Sequence, residues 1–366
     1  MTRRWLAVAA GSLIGTLGVA AVLVCVGSGC SSVGYVGQAL TGHLEIVERA
    51  KPLSQWIADP TTPAPLRAQL ERAQQMREFA VHELALPDNR SYRRYAALDR
   101  PAALWNVVAA PELSLTLKTW CYAGMGCVGY RGYYDRADAD ALAAQLRAEG
   151  WEVQVYGVPA YSTLGWTDWL GGDPLLSTFI GWPEGELARL IFHELAHQVV
   201  YVADDTAFNE SYATAVERIG GRRWLASQAD AQARAVTDAL EAVDRRRGEF
   251  RALLQAARQD LVQVYADPAL GADARRAAKA ARLQRLRDDH TRLKAGAWDG
   301  WPGYDRWFAE VNNAALAIQG AYSDLVPDFE RLFVQQGSDF TRFHAAVRRI
   351  AALPKDQRLA TLHAVP

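Results

Sequence analysis

The sequence has no excess of charge of either sign: 40 Lys and Arg residues oppose 41 Asp and Glu residues, giving a formal net charge of -1. Proteins that bind nucleic acid neutralise phosphates with a basic surplus, so this balance argues against a nucleic-acid partner. The chain also lacks internal repeats, low-complexity linkers and a second apolar run long enough to span a membrane. Its 366 residues suffice to bury a full core, as one large domain or two intimately packed ones.

Cysteine is scarce as well, with four residues in the whole chain. Cys25 lies in an N-terminal apolar run and Cys30 follows it, which leaves Cys121 and Cys127 in a loop that contains glycine. In an oxidising compartment this last pair is expected to form a disulfide bond. As free thiols binding a metal, the two would need further Cys or His residues nearby, which the sequence does not supply.

The N-terminus has the pattern of a secretory signal. Arg3 and Arg4 precede an apolar stretch from Trp5 to about Val26, and small residues follow it. We therefore expect residues 1–29 to be a cleaved signal and the rest of the chain to lie outside the cytoplasm. The stretch is borderline in length for a span of about 20 apolar residues, so an uncleaved N-terminal anchor is the alternative.

The segment Gly27-Ser28-Gly29-Cys30-Ser31-Ser32 resembles a bacterial lipoprotein box, with Gly27 where leucine is usual. The resemblance implies cleavage before Cys30 and attachment of lipid to its thiol. Because Ser31 rather than aspartate follows the cysteine, it also implies the outer membrane in a Gram-negative host, with the protein facing the periplasm. Since two arginines leave with the signal, the net charge moves from -1 to -3.

Periodicity divides the mature chain into a helical segment at 30–103, an α+β unit at 104–221 and a helical region at 222–366. The pattern predicts an α+β fold that is predominantly α-helical. Helices are expected at 37–58, 64–86, 136–149, 222–265, 272–296, 304–323, 326–336 and 338–352, and strands at 104–108, 113–117, 128–134 and 151–158. A further helix from about 207 to 219 is expected to stop at Gly220-Gly221.

The pentapeptide His193-Glu194-Leu195-Ala196-His197 is the most informative motif. Two histidines four positions apart lie one turn above each other on a helix, with Cβ atoms roughly 5–6 Å apart, so both rings can reach one cation. Apolar flanks indicate that this helix is buried, and buried His and Glu side chains need partners. A surface helix with incidental histidines is the alternative. The similar stretch from His82 to Leu86 lacks a second histidine and predicts an ordinary helix segment.

A second helix is expected to supply a third ligand, Glu210. Two His and one Glu predict one zinc ion per chain with an open fourth position, which is typical of a catalytic site. Glu194 is then expected to act as the general base in peptide-bond hydrolysis. Glu217, on the same helix face as Glu210, is expected to accept a hydrogen bond from a ligand histidine. A salt bridge from Glu217 to Arg218 or Arg222 is the alternative.

The remaining candidates concern the substrate. Tyr212 and Tyr322 are candidate donors to the oxyanion, with simple packing as the alternative. Thr163 and Leu164 are candidates for pairing with an extended peptide by strand addition, with a plain crossover loop as the alternative. Arg131 is a candidate for binding a carboxylate of the substrate or an acidic residue of the site wall.

The motif pair His-Glu-Leu-Ala-His-Gln and Asn-Glu-x-x-Ala-x-x-x-Glu, at 193–198 and 209–217, resembles that of gluzincin peptidases. The gap between the motifs is shorter than in the aminopeptidase N group, and the Gly-x-Met-Glu-Asn segment that holds a free amine there is missing. The closer resemblance is to the bacterial lipoproteins described as predicted aminopeptidases. It is carried by the stretches 29–35, 86–89, 105–115, 130–133 and 173–217.

That resemblance covers nearly the whole mature chain and implies a zincin-like helix pair, a zinc-dependent peptidase and a lipid anchor, with peptides or unfolded proteins as substrates. Two other interpretations share the site. One is a non-enzymatic lipoprotein that keeps the metal structurally and binds partners through its helical half. The other is a hydrolase of amides in cell-wall peptides. Glu194 favours an enzyme, because a structural site needs no general base.

Overall fold

Helices dominate this computed structural model, which describes residues 30–122, 126–160, 163, 168, 171–203, 205–228, 231–320 and 325–365. The prediction of an α+β, mainly helical fold is confirmed. The predicted signal at 1–29 lies outside the described residues. Among the helices of the described ranges, none combines the length and apolar composition needed to cross a membrane.

The helices are α1 (Cys30–Arg49), α2 (Leu53–Ala58), α3 (Ala64–His82), α4 (Arg136–Ala148), α5 (Glu184–His197), α6 (Thr206–Ser227), α7 (Ala231–Ala266), α8 (Ala272–Ala295), α9 (Asp305–Ala309), α10 (Asn313–Gln319), α11 (Val326–Gln335), α12 (Phe340–Ala351) and α13 (Lys355–His363). The strands are β1 (Lys51–Pro52), β2 (Arg94–Ala96), β3 (Leu104–Pro111), β4 (Trp120–Tyr122), β5 (Gly126–Val128), β6 (Arg131–Tyr133), β7 (Trp151–Val158) and β8 (Leu175–Leu176).

The two helices α5 and α6 pack against each other at the centre of the largest hydrophobic core. The predicted stop of α6 at its glycine pair is wrong, because the helix continues to Ser227. A Cβ at Gly220 would lie 2.7 Å from Leu84 Cδ1 and 3.1 Å from Phe192 Cδ2. A Cβ at Gly221 would lie 2.9 Å from Arg189 Cγ. The glycines therefore allow close helix packing here rather than ending the helix.

An antiparallel sheet in the order β6-β3-β7 lies beside this helix pair. Helix α4 covers part of it with alanine and leucine side chains, and α10 packs against β3 through Ala314 and Ile318. The predicted strand at 113–117 is wrong: after Pro111 the chain leaves the sheet, with the Ser114 N–H donating to the Pro111 carbonyl. Leu115 packs against the helical cluster that includes Leu254 and Phe308, and Leu117 packs against Val108 of β3 and Ala314 of α10.

A second sheet, in the order β1-β2-β8, leads the chain into α5. Strand β1 interrupts the helix predicted at 37–58, because Pro52 lacks the N–H that a helix needs and disfavours helical backbone before it. The helix predicted at 304–323 is likewise divided, since the Asn312 side chain accepts a hydrogen bond from Ala315 N–H and caps a new helix. Both breaks follow from single residues.

Candidate metal centre

Three predicted ligands meet between α5 and α6. The Nε2 atoms of His193 and His197 are 3.1 Å apart. Glu210 Oε2 lies 3.3 Å from the first nitrogen, and Glu210 Oε1 lies 3.6 Å from the second. The three side chains thus present two imidazole nitrogens and one carboxylate within 4.8 Å of one another. The Glu210 side chain keeps 24 % of its surface exposed, so the cluster is open on one side.

These separations fit one small divalent ion. A tetrahedral zinc ion bonds nitrogen and oxygen ligands at roughly 2.0–2.1 Å, which sets ligand atoms about 3.3–3.4 Å apart. The observed distances of 3.1, 3.3 and 3.6 Å bracket that value. A neutral imidazole and a carboxylate are also ligand types that zinc prefers. The donor set therefore fits zinc.

Glu217 holds the first ligand ring in place. Its Oε2 lies 2.8 Å from His193 Nδ1, so the Nδ1–H donates to the carboxylate and Nε2 is directed towards Glu210. This is the arrangement expected for the residue that orients a ligand histidine. The alternative partners Arg218 and Arg222 pair with Glu330 instead.

Glu217→Gln is expected to weaken zinc binding by about 10- to 100-fold, because such outer partners set the orientation and basicity of the ligand. The measurement is competition with a zinc-binding dye. Glu330→Gln is the matched control, since the ion pairs of Glu330 within the described residues are partly exposed ones with Arg218 and Arg222, and its loss should leave the affinity unchanged. Equal affinities in both variants would contradict the orienting role of Glu217.

The electrostatics of the cluster favour a bound cation. Burial disfavours a charge on His193, yet hydrogen bonds to Glu210 and Glu217 raise its pKa well above the ordinary value. Burial lowers the pKa of His197 to about 4, and the adjacent His193 lowers it further. Burial raises the pKa of Glu194 to about 7, with Glu210 contributing in the same direction. The carboxylates of Glu210 and Glu217 thus favour positive charge at His193, and a bound cation would supply that charge.

Tyr212 does not reach this cluster, and the prediction that it is a donor to the oxyanion is wrong. Its side chain is fully buried, and its hydroxyl donates to His344 Nδ1 at 2.8 Å, while His344 Nε2 donates to the Leu84 carbonyl at 2.9 Å. Burial raises the pKa of Tyr212 far above its ordinary value, so it stays neutral in the core. The other candidate, Tyr322, lies outside the described residues.

The buried His344 predicts a pH dependence of stability. Burial lowers its pKa to about 4, against an ordinary value near 6.5. Between these values the unfolded chain binds a proton that the folded protein does not, so the free energy of unfolding falls as pH drops across this window, by up to about 3 kcal/mol. His344→Gln, which keeps a donor and an acceptor, should lack this component. Denaturant unfolding at pH 7 and pH 4.5 measures it, and equal pH slopes in parent and variant would contradict it.

Thr163 is held by the protein rather than free for a substrate strand. Its N–H and hydroxyl donate to the buried carboxylate of Asp173, at 3.1 and 2.8 Å. Because its N–H is engaged, the prediction that Thr163 pairs with a peptide is wrong. Asp173 was not predicted from the sequence, although its charge adds to the raised pKa of Glu194. Leu164 lies outside the described residues.

Arg131 is buried on β6, with its guanidinium 4.2 Å from the ring centroid of Tyr35 on α1. The structure therefore places it in the packing between α1 and the sheet, and the prediction that it binds a carboxylate stays a prediction. An aromatic residue that the sequence reading missed lies closer to the cluster. The ring of Tyr201, 55 % exposed, lies 6.5 Å from that of His197. Its position four residues after His197 was the available signal.

A polar network that the sequence reading also missed fixes the end of α5. Asn89 Nδ2 donates to Gln198 Oε1 at 2.6 Å, and Gln198 Nε2 donates to Ser91 Oγ at 3.2 Å. The buried Arg77 in turn donates to Asn89 Oδ1 and to the Ser91 carbonyl. Gln198 directly follows His197, so this network positions a metal ligand through its neighbour.

Cys121 and Cys127 are joined by a disulfide bond across the β4-β5 hairpin. Cys30, the predicted lipidation site, is the first residue of α1, and nothing beyond its backbone is described. The disulfide keeps both thiols away from metal binding.

Comparison with protein families gives one finding: the model of the family described as "Putative aminopeptidase" matches residues 34–362. No curated protein and no solved structure matches this chain. The matched range contains both motif helices, the sheet and most of the C-terminal helices.

Proposed function

We propose, from the premise that the chain belongs to the putative aminopeptidase family, that it is a zinc-dependent peptidase anchored to the bacterial envelope. Family membership supports the general activity, that of a peptidase. The zinc ion, the roles of individual residues and the envelope location are proposed in addition to this. The alternative function is a non-catalytic lipoprotein that uses a metal structurally.

A single observation carries the proposal: His193, His197 and Glu210 converge at the separations that one zinc ion requires, on a face that stays open. Three protein ligands with an accessible side are typical of catalytic zinc, whereas structural sites are closed by four. Glu194 adjoins this cluster in the sequence and is half buried. A structural metal site would not require a general base at this position.

In the proposed hydrolysis, each residue of the site has a separate role. When bound, zinc supplies Lewis acidity, which polarises a carbonyl and lowers the pKa of water. Glu194 takes a proton from the attacking water and passes it to the departing amine. Glu217 keeps His193 oriented, and the network through Gln198 does the same for the end of α5. The exposed ring of Tyr201 offers an apolar surface for a substrate side chain beside His197.

Anchoring rests on the N-terminal pattern and on one feature of α1. Leu40 and Leu44, one helical turn apart, are 58 % and 39 % exposed on the helix that begins at Cys30. An exposed apolar pair near a lipidated cysteine supports a membrane-facing position, because a single lipid chain alone binds a membrane only marginally.

The test uses purified protein lacking residues 1–30, with metal analysis and two matched peptide sets, one with free and one with acetylated N-termini. We expect one zinc ion per chain and cleavage that a chelator abolishes and added zinc restores. An aminopeptidase cleaves only the free set. A protein that holds zinc but cleaves neither set would favour the non-catalytic alternative.

A further inference from the structure

A cavity of about 600 Å³ lies between the C-terminal half of α7 and the end of α10, away from the metal ligands. Two guanidinium groups line it, those of Arg251 and Arg258, and none of the other described residues of the lining is acidic. Its walls are otherwise polar amides and a few aliphatic residues, among them Gln255, Gln259 and Gln319. A lining of this kind suits a ligand that carries a negative charge and amide groups.

The two arginines differ in what holds them. Arg258 donates to the carbonyls of Leu316 and Ala317, so it caps the end of α10 and contributes to the fold. Arg251 is partly buried, and within the described part of the chain it makes no hydrogen bond or ion pair. Arg251 is therefore the arginine of this cavity that forms no direct ion pair, and the carboxylate of Asp244 acts on it only from a distance.

The groups around Arg251 favour the binding of an anion beside it. Burial lowers its pKa, and the neighbouring cations Arg218 and Arg247 lower it further. A cation that loses solvation next to other cations is stabilised by a bound carboxylate. An isolated guanidinium on an open surface would not gain in this way.

The cavity is connected to the metal centre through α7. Arg247, one turn before Arg251, forms an ion pair with Glu186 on α5, and the charge of Glu217 acts on it. Arg218, which acts on Arg251, directly follows Glu217 on α6.

We propose that the cavity binds the C-terminal carboxylate of a peptide, with Arg251 as the recognising cation and the glutamine side chains paired with the peptide amides. This rests on the proposed peptidase function and adds a substrate class to it: short peptides with a free carboxyl end. Hydrogen bonds to a charged group are strong enough to give at least a tenfold preference for the carboxylate over a neutral end.

The experiment measures binding rather than activity. Tetraalanine with a free carboxyl end and the same peptide with a carboxamide end are titrated by calorimetry into chelator-treated full-length protein. We expect the free acid to bind at least tenfold more tightly to the parent. Arg251→Gln should bind both peptides equally, and Arg251→Lys should recover part of the preference. Arg245→Gln is the matched control, because Arg245 is exposed on the same helix outside the cavity.

The proposal is overturned if the parent shows no preference for the free acid, if the acid does not bind, or if Arg251→Gln keeps the full preference. Circular dichroism of each variant confirms that it is folded. Hydrolysis by zinc-loaded parent is measured separately. A preference for the free acid without hydrolysis would contradict the proposed peptidase function alone. Hydrolysis without that preference would contradict only the proposal for the cavity.

Discussion

Glu194→Gln is expected to lower kcat for peptide hydrolysis by about 10²- to 10⁴-fold, the usual contribution of a general base, while the protein keeps one zinc ion per chain. Glutamine has nearly the shape of glutamate but cannot accept the proton from water. The three ligand atoms belong to His193, His197 and Glu210, so the metal should stay. Rate measurements under saturating peptide, together with metal analysis, check both halves of this expectation.

The chain supplies its own control for this variant. Glu83 lies in the stretch His82-Glu83-Leu84-Ala85, which repeats the first four letters of the motif, and it is exposed at the end of α3. Glu83→Gln should leave kcat and zinc content unchanged. Equal hydrolysis by Glu194→Gln and the parent would remove Glu194 from the chemistry. Loss of zinc in Glu194→Gln would instead make it a metal ligand.

The second large effect concerns the metal itself. Zinc at 100 to 1,000 times its Kd should stabilise the parent by about 2.7–4.1 kcal/mol, because the ion binds the folded state alone. His197→Ala removes one of three ligands and should abolish this stabilisation at the same zinc concentration. Denaturant unfolding with and without zinc measures the difference.

His82→Ala is the control here. His82 is exposed, lies in the similar stretch from His82 to Leu86, and contacts Glu78 only weakly. It should gain as much stability from zinc as the parent. If His197→Ala were stabilised equally, the ion would bind elsewhere. A surface site made of other histidines would then account for the zinc effect.

The metal cluster was predictable because it depends on helical periodicity. Spacings of four between the histidines and seven between Glu210 and Glu217 hold wherever the helices pack. The structure brings these groups together at 2.8 to 3.6 Å. That α5 and α6 are neighbours was a weaker inference, since it needs tertiary contacts that the sequence only suggests through small residues.

The prediction that Tyr212 takes part in the site was an error that helical periodicity could have prevented. Two positions separate it from Glu210, and at 3.6 residues per turn that is about 200°, the opposite side of the helix. Its burial against His344 follows from that geometry. The continuation of α6 through Gly220 was less accessible, because only the packed Leu84 and Phe192 side chains reveal why glycine is there.

The strand predicted at 113–117 failed for a different reason. Alternating leucines indicate that one side of a segment is buried, but they do not identify the elements that cover it. Here Leu115 packs against helices formed by residues more than a hundred positions later in the chain, and Leu117 packs against both β3 and α10. The short strands β1, β2 and β8 were missed because two or three residues carry no periodic signal.

The bonds that link Gln198, Asn89 and Arg77 join protein groups only, so they anchor the end of α5 regardless of metal occupancy. We expect a site braced in this way to load and release its ion without refolding. In an environment where zinc supply fluctuates, such a protein would persist in an inactive form and resume work when the ion returns. Metal availability would then govern its activity directly, while loss of the ion would also lower the free energy of unfolding.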